Sequence, residues 1–284
     1  MRTLRAAIGA MVIFCAGAGG VHAETDLKAL ALKITASAHT NTERVTAVIG
    51  WAHSHLDWLN TDYQRRTVQE ILDRKGGNCD EDARVVVALL DELGVKNRRV
   101  QEINIQPDSP RREKNAEELI AKNGPSASVF GLRHNDHVWV EYWDEQHNEW
   151  APADPTLSLV GYDEWIRARV GFGERITSNV IPSHDMIVPI AIFALTPGSQ
   201  GSTREYRGER YLVTGFAAVD PAAARSPAWA QWKTEIEAFQ PKAKAAFDGA
   251  HNLHEDTDAI AELLVTYQSL KTSTATHPKI GAGR

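Results

Sequence analysis

Cysteine is scarce, with two in 284 residues, Cys15 and Cys79. Cys15 falls in an N-terminal segment that is expected to be removed. Cys79 then stands alone, which leaves no internal disulfide and no thiolate zinc site, since such a site needs several thiolates. Positive charge is also in deficit: Lys and Arg total 31 against 37 Asp and Glu, for a net charge of −6. A nucleic-acid partner would ask for a basic patch or a basic balance, so none is expected. Long apolar runs are missing too. Ala6 to Gly20 is apolar or small over about 15 residues, and Ile187 to Leu195 is shorter and interrupted by Pro189, whereas a bilayer-spanning helix needs ~20. There is no internal repeat, no low-complexity block and no cofactor-binding motif. What remains is 43% hydrophobic and 24% charged residues, the balance of a folded globular chain, with eight Trp.

Residues 1–23 read as a secretory signal peptide. Arg2 and Arg5 supply the positive start, the apolar stretch follows, and Val21-His22-Ala23 presents small residues at the cleavage positions. Cys15 is preceded by Val12-Ile13-Phe14, without the small residue of a lipoprotein signal. The expectation is an exported protein, in the bacterial periplasm or outside the cell, that begins at Glu24 and does not stay inserted in a membrane.

Beyond that point the hydrophobic period predicts helices over 25–38 and 42–59 and a short one over 68–74 that stops at Gly76-Gly77. Asn78 is a good N-cap, and 79–93 follows as a helix with Ala83, Val86, Val87, Leu90 and Leu93 on one face. Then the period changes. Residues 98–105 read as a strand and 106–135 as a long polar connection. From His137 to Trp143 apolar Val138, Val140 and Tyr142 alternate with His137, Trp139 and Glu141. A turn leads into a strand at 149–154, ended by Pro155. Strands are predicted at 187–195 and 209–217, helices at 227–249 and 255–270. This divides the chain into N-terminal helices (24–64), a core with C-terminal strands (65–217), a helical region (218–270) and an unstructured tail (271–284).

A cysteine nucleophile needs a lowered thiol pKa, a nearby imidazole and a group that orients the imidazole. Cys79 follows the N-cap at a helix start, where the dipole favours a thiolate. His137 opens one strand and Asp154 ends the next, so a hairpin would set the carboxylate beside the ring. The segment Gly76-Gly77-Asn78-Cys79-Asp80, with Ala83, Leu89-Leu90, Leu93-Gly94-Val95 and Arg98-Arg99-Val100, resembles the nucleophile helix and first strand of the transglutaminase-like superfamily. His137-Val138-Trp139-Val140-Glu141 resembles its histidine strand, and Trp150 through Asp154-Pro155-Thr156 its aspartate strand. The order Cys, His, Asp agrees.

That resemblance implies an α+β, papain-like fold over roughly 65–160, with a Cys-bearing helix packed on an antiparallel sheet. It implies acyl transfer through a Cys79 thioester, with His137 as base and acid, Asp154 as orienter and a peptide or protein as substrate. Water is favoured as acceptor over an amine, because free amines are dilute outside the cell. The family's oxyanion donor commonly precedes the cysteine, which nominates Gln64, Gln69 and Trp58. Gly77, Asn78 and Trp139 are candidates for the substrate pocket. The alternative is a non-catalytic module of the same fold that binds peptide or glycan.

Other features read as structural. Asp80, Glu81 and Asp82 stabilise a helix start but add cost to a thiolate. His134 lies in the polar connection. His53 and His55 face different directions on a helix, and no H-x-x-x-H pair supports a metal site. Arg98-Arg99 reads as a solvated pair, and Trp229 with Trp232 as packing.

Overall fold

The computed structural model describes residues 25–59, 64–105, 134–169, 188–198, 201–248 and 250–275, with 114, 117, 118, 121 and 122 between them. The expected signal peptide and most of the polar connection lie outside the described residues.

The first helices start where side chains satisfy their free N–H groups. Asp26 caps α1 (Leu27–Ile34). Thr40 with Glu43 and Thr67 with Glu70 form reciprocal capping boxes on α2 (Asn41–His55) and α3 (Val68–Arg74). Asn78 with Glu81 does the same for α4 (Cys79–Glu92). Between them, β1 (Asp57–Trp58) runs parallel to β2 (Gly76–Gly77), with Asp57 opposite Gly76 and Trp58 opposite Gly77. The glycines therefore do not end α3. Lys75 does, in the left-handed conformation at φ 56°, and the glycines let two backbones meet. A Cβ on Gly76 would lie 2.2 Å from the Asp57 carbonyl oxygen.

Six strands form one antiparallel sheet: β3 (Asn97–Ile105), β4 (His134–Asp144), β5 (Glu149–Asp154), β6 (Leu159–Val160), β7 (Val188–Gly198) and β8 (Gly201–Tyr206). Their order is β6-β5-β4-β3-β7-β8. The alternation along β4 has a physical use on both faces. Val138, Val140 and Tyr142 pack with Val86, Leu89 and Leu90 of α4 and with Val45, Val48 and Ile49 of α2. Trp139 belongs to the opposite core with Val100, Ile192, Trp165 and Trp232. That second layer contains α5 (Tyr162–Arg169), α6 (Phe216–Val219), α7 (Pro227–Phe247) and α8 (Thr257–Ala275). Trp229 and Trp232 are buried in it, as packing residues. The sheet is thus covered by helices on both sides, which is an α+β architecture. No helix among the described residues is long and apolar enough to cross a membrane.

Four local expectations change. The strand expected at 209–217 is a wide helical turn over Glu209–Gly215 that runs into α6. The edge position it would have filled belongs to β8, which pairs with β7 from Phe193↔Tyr206 to Gly198↔Gly201. The stretch then turns to bury Tyr211 and Leu212. Second, β4 begins at His134, opposite Ile105, and so inside the segment read as connection. Third, Arg98 is buried rather than solvated. It faces Glu141 in register and bonds it at 2.7 Å, with Glu205 at 2.6 Å on its other side. A buried cation of this kind is tolerated only when paired. Arg99 bonds Asp80 at 2.6 Å. The last helix runs to Ala275, past the boundary drawn at 270.

Candidate active site

Cys79 is the first residue of α4 and is half-buried. Its backbone is held from both sides. Asn78 Oδ1 accepts the Glu81 N–H at 3.0 Å, and Glu81 Oε2 accepts the Asn78 N–H at 3.1 Å. Upstream, the Asp57 N–H donates to Lys75 O and the Leu59 N–H to Gly77 O, both at 2.8 Å. The cysteine therefore leaves a rigid strand and enters a capped helix.

His137 and Asp154 come from neighbouring strands. The register Val140↔Ala153 carries their side chains together at one end of the β4–β5 hairpin. His137 Nε2–H donates to Asp154 Oδ2 at 2.8 Å. The other carboxylate oxygen, Oδ1, accepts the backbone N–H of Thr156 at 3.0 Å and of Leu157 at 3.4 Å. Asp154 is fully buried and His137 nearly so. With Nε2 committed to Asp154, Nδ1 is the ring nitrogen left for Cys79, whose thiol acts on the ring electrostatically. Burial opposes a charged His137. The Asp154 charge and hydrogen bond, aided by Cys79, outweigh it and hold the imidazole pKa well above its ordinary 6.5. An imidazole biased toward its protonated form beside a thiol can stabilise a thiolate and later give its proton to a leaving group.

Trp139 forms the floor. It stacks on His137 with ring centroids 5.8 Å apart, and its indole N–H donates to the Tyr211 hydroxyl at 3.4 Å. It is fully buried, so it supports the histidine from below instead of lining a cleft open to solvent. Asn78 spends its side chain on the helix cap. Gly77 has no free space above it, since an added Cβ would lie 2.5 Å from Glu81 Cβ and 3.3 Å from Asp82 Oδ1. Trp139 is thus part of the frame beneath His137, and Gly77 and Asn78 fix the backbone at the start of α4.

The oxyanion candidates separate. Gln69 accepts the Thr25 N–H at 2.7 Å and donates to Asp73 at 2.7 Å, so it ties down the segment that leads into α1. Gln64 is exposed and accepts from Arg66 at 3.3 Å. Trp58 alone is placed next to the nucleophile segment, through its pairing with Gly77, and it is 49% exposed.

The acidic triplet after Cys79 is largely neutralised. Asp80 pairs with Arg84 at 3.1 Å and with Arg99. Glu81 pairs with Arg66 at 2.9 Å and reaches Arg74 at 3.9 Å. Asp82 is buried. Its pKa is pushed up to about 7, first by burial and then by the Glu81 and Asp154 charges, against the pull of His137. A group absent from the sequence reading is Arg169 at the end of α5. It is buried and ion-paired with Glu102, which also accepts from Asn104 Nδ2 at 2.7 Å. Burial lowers the Arg169 pKa to about 9, while the Cys79 charge works in the opposite direction. Glu102 faces His137 in register. No sequence signal links Arg169 to the site, because only the packing of α5 onto the sheet brings it there. Among the described residues, no group of three or more His, Cys, Asp or Glu is placed to hold a metal ion.

Residues 28–155 match the transglutaminase-like superfamily. Two solved structures are similar to the chain. One is a candidate protease from Parabacteroides distasonis, with 13% identity over 45% of this chain and 22% of that one and a TM-score of 0.31. The other is a candidate cysteine protease from Cytophaga hutchinsonii, with 14% identity over 48% of this chain and 39% of that one and a TM-score of 0.33. A third, Rad4–Rad23 bound to a 6-4 photoproduct UV lesion, shares 11% identity over 89% of this chain and 46% of that one, with a TM-score of 0.28. The chain thus spans less than half the length of each of these three. No curated protein matches it. Over residues 28–155, from α1 to the turn that closes β5, the chain matches the transglutaminase-like superfamily, within an α+β fold of the papain-like kind.

Proposed function

We propose that this chain is an exported thiol enzyme that cleaves or transfers an amide acyl group through a Cys79 thioester. Its substrate is a peptide or protein, and water is the favoured acceptor. The observation that carries the reading is the buried 2.8 Å His137–Asp154 hydrogen bond, with Cys79 at the start of α4 within electrostatic reach of the same ring. That is the nucleophile, base and orienter arrangement of acyl transfer.

The steps follow from those positions. The Cys79 thiolate attacks the carbonyl carbon, a C–S bond forms, and the carbonyl electrons move to oxygen. The oxyanion collapses, the C–N bond breaks, and protonated His137 donates its proton to the departing amine. Water then enters and gives a proton to His137. Its oxygen bonds to the acyl carbon, the C–S bond breaks, and the acid leaves with the thiolate and imidazolium restored. Asp154 accepts the Nε2–H throughout and keeps the ring in place. Trp58, beside Gly77, is the favoured donor to the oxyanion.

The test is incubation of the purified protein with a peptide library and with a fluorescent primary amine, read by mass spectrometry. Cleaved or deamidated peptides from wild type and none from Cys79→Ala support hydrolysis. Cys79-dependent attachment of the amine would move the assignment to transfer. Equal peptide binding by wild type and Cys79→Ala, with no turnover in either, would favour the non-catalytic module. The export assignment is tested by sequencing the N-terminus of material outside the cytoplasm, which should begin at Glu24. An intact Met1 in a membrane fraction would overturn it.

A further inference from the structure

Three acids follow Cys79 in succession, and the fold treats the third differently. Asp80 and Glu81 each face two arginines: Arg84 and Arg99, and Arg66 and Arg74. Asp82 has no ion pair among the described residues, and it is only 5% exposed. Its Oδ1 is shut off from solvent and has no hydrogen-bond partner. A carboxylate so placed meets the full penalty of burial.

Its position is as particular as its lack of partners. Asp82 lies three residues after Cys79, so the two side chains share a face of α4. Its Oδ1 comes within 3.3 Å of the point where a Cβ would stand on Gly77. The charged groups that face it are Glu81 on its own helix, Asp154 on β5 and His137 on β4. Two of these are the proposed orienter and base. Glu81 is already engaged by arginines, so it brings no cation to Asp82.

We propose that Asp82 is a positioning residue of the thiol site. Its buried carboxyl works in the protonated form, and its ionisation places a second negative charge beside the Cys79–His137–Asp154 group that slows reaction at the sulfur. This rests on the reading of Cys79 as a nucleophile. The protonated carboxyl leaves the helix N-terminus and His137 as the main influences on the thiolate. The ionised carboxylate, one helical turn away, disfavours both the thiolate and the oxyanion formed from it. The rise of the Asp82 pKa to about 7 places that change at neutral pH.

The test uses two alkylating probes on the full-length protein from pH 5 to 9, neutral iodoacetamide and anionic iodoacetate. The ratio of their rates at Cys79 cancels the thiolate fraction and reports the local charge. In wild type the iodoacetate-to-iodoacetamide ratio should fall roughly tenfold across pH 7, the size expected of one charge acting over about one pK unit. In Asp82→Asn that step should be absent, while the loss of the His137 proton at higher pH remains. Turnover of wild type should decline through the same step, and that of Asp82→Asn should not. If both proteins show the same step near pH 7, or neither does, the proposal is wrong. A second measurement needs no folded variant: 13C NMR of Asp-labelled wild type should show one carboxyl that titrates near pH 7, and titration of every Asp below pH 5 would overturn the proposal. If Cys79 alkylates but no protein turns over any peptide, the enzyme reading fails while the ratio still judges Asp82.

Discussion

His137 and Asp154 sit on adjacent strands, joined Nε2 to Oδ2 at 2.8 Å, and the carboxylate's second oxygen is held by two backbone N–H groups from the turn that follows it. The acid is therefore fixed by the backbone, and the ring is fixed by the acid. Cys79 arrives from a different element, so the strength of the site depends on how rigidly α4 is started.

Asp154→Asn should keep the hairpin and the hydrogen-bond geometry but remove the charge that stabilises the imidazolium. By analogy with triad enzymes, turnover should fall by about 10³–10⁴ while peptide affinity stays within about threefold. Steady-state kinetics beside calorimetric binding would check it. A loss below tenfold would mean that Asp154 does not orient the base.

The raised His137 pKa has a consequence for stability. The folded form binds the proton more tightly than the unfolded chain, whose histidine sits near 6.5. That stabilisation is complete below about pH 6.5 and disappears as pH rises through the folded-state value. The difference in melting temperature between wild type and His137→Gln should therefore be larger at pH 6 than at pH 10. A constant difference would contradict the coupling to Asp154.

Gly76→Ala should break the start of the site from a distance. The new Cβ would collide with the Asp57 carbonyl at 2.2 Å, and backbone cannot step aside as a side chain can. The β1–β2 ladder should separate, with a stability loss of about 1–3 kcal/mol and slower Cys79 alkylation. Denaturant melts and labelling rates would show it. Gly50→Ala, inside α2 with nothing within 4 Å, is the control: it should not lose stability, gaining about 0.5–1 kcal/mol, and should leave the labelling rate unchanged.

Trp139→Ala should cost about 3–5 kcal/mol, because it empties a fully buried site under His137. Trp139→Phe should recover most of the stability, yet it loses the indole N–H to Tyr211, and a smaller ring supports the imidazole over less area. Melting temperatures should rank wild type, Phe, Ala. A milder loss in Ala than in Phe would mean that Trp139 is not a packing residue.

Much of the site was legible because its signals are local. The cap Asn78, the apolar face of α4 and the alternation from His137 to Trp143 each follow from a short period or a capping rule. They placed Cys79 at a helix start and His137 on a strand before any fold was known. Where signals crossed the chain, the reading failed for identifiable reasons. Arg98 looked solvated because its partners, Glu141 and Glu205, are far along the sequence and come opposite it only in the sheet. Residues 209–217 have strand-like composition, but the edge they would occupy is taken by β8. Trp139 looked like a pocket residue because periodicity shows which face a residue is on and not what covers that face.

The sequence by itself determined the helix and strand identities around the site and the order Cys, His, Asp. Those depend on side-chain size, hydrogen-bonding capacity and spacing within about a dozen residues. The tertiary structure alone decided which charges are paired, that Asp82 is buried without an ion pair among the described residues while Asp80 and Glu81 have two each, and that Arg169 lies within electrostatic reach of Cys79. Electrostatic energies depend on through-space distance and on exclusion of water, and both are set by which strands and helices pack together.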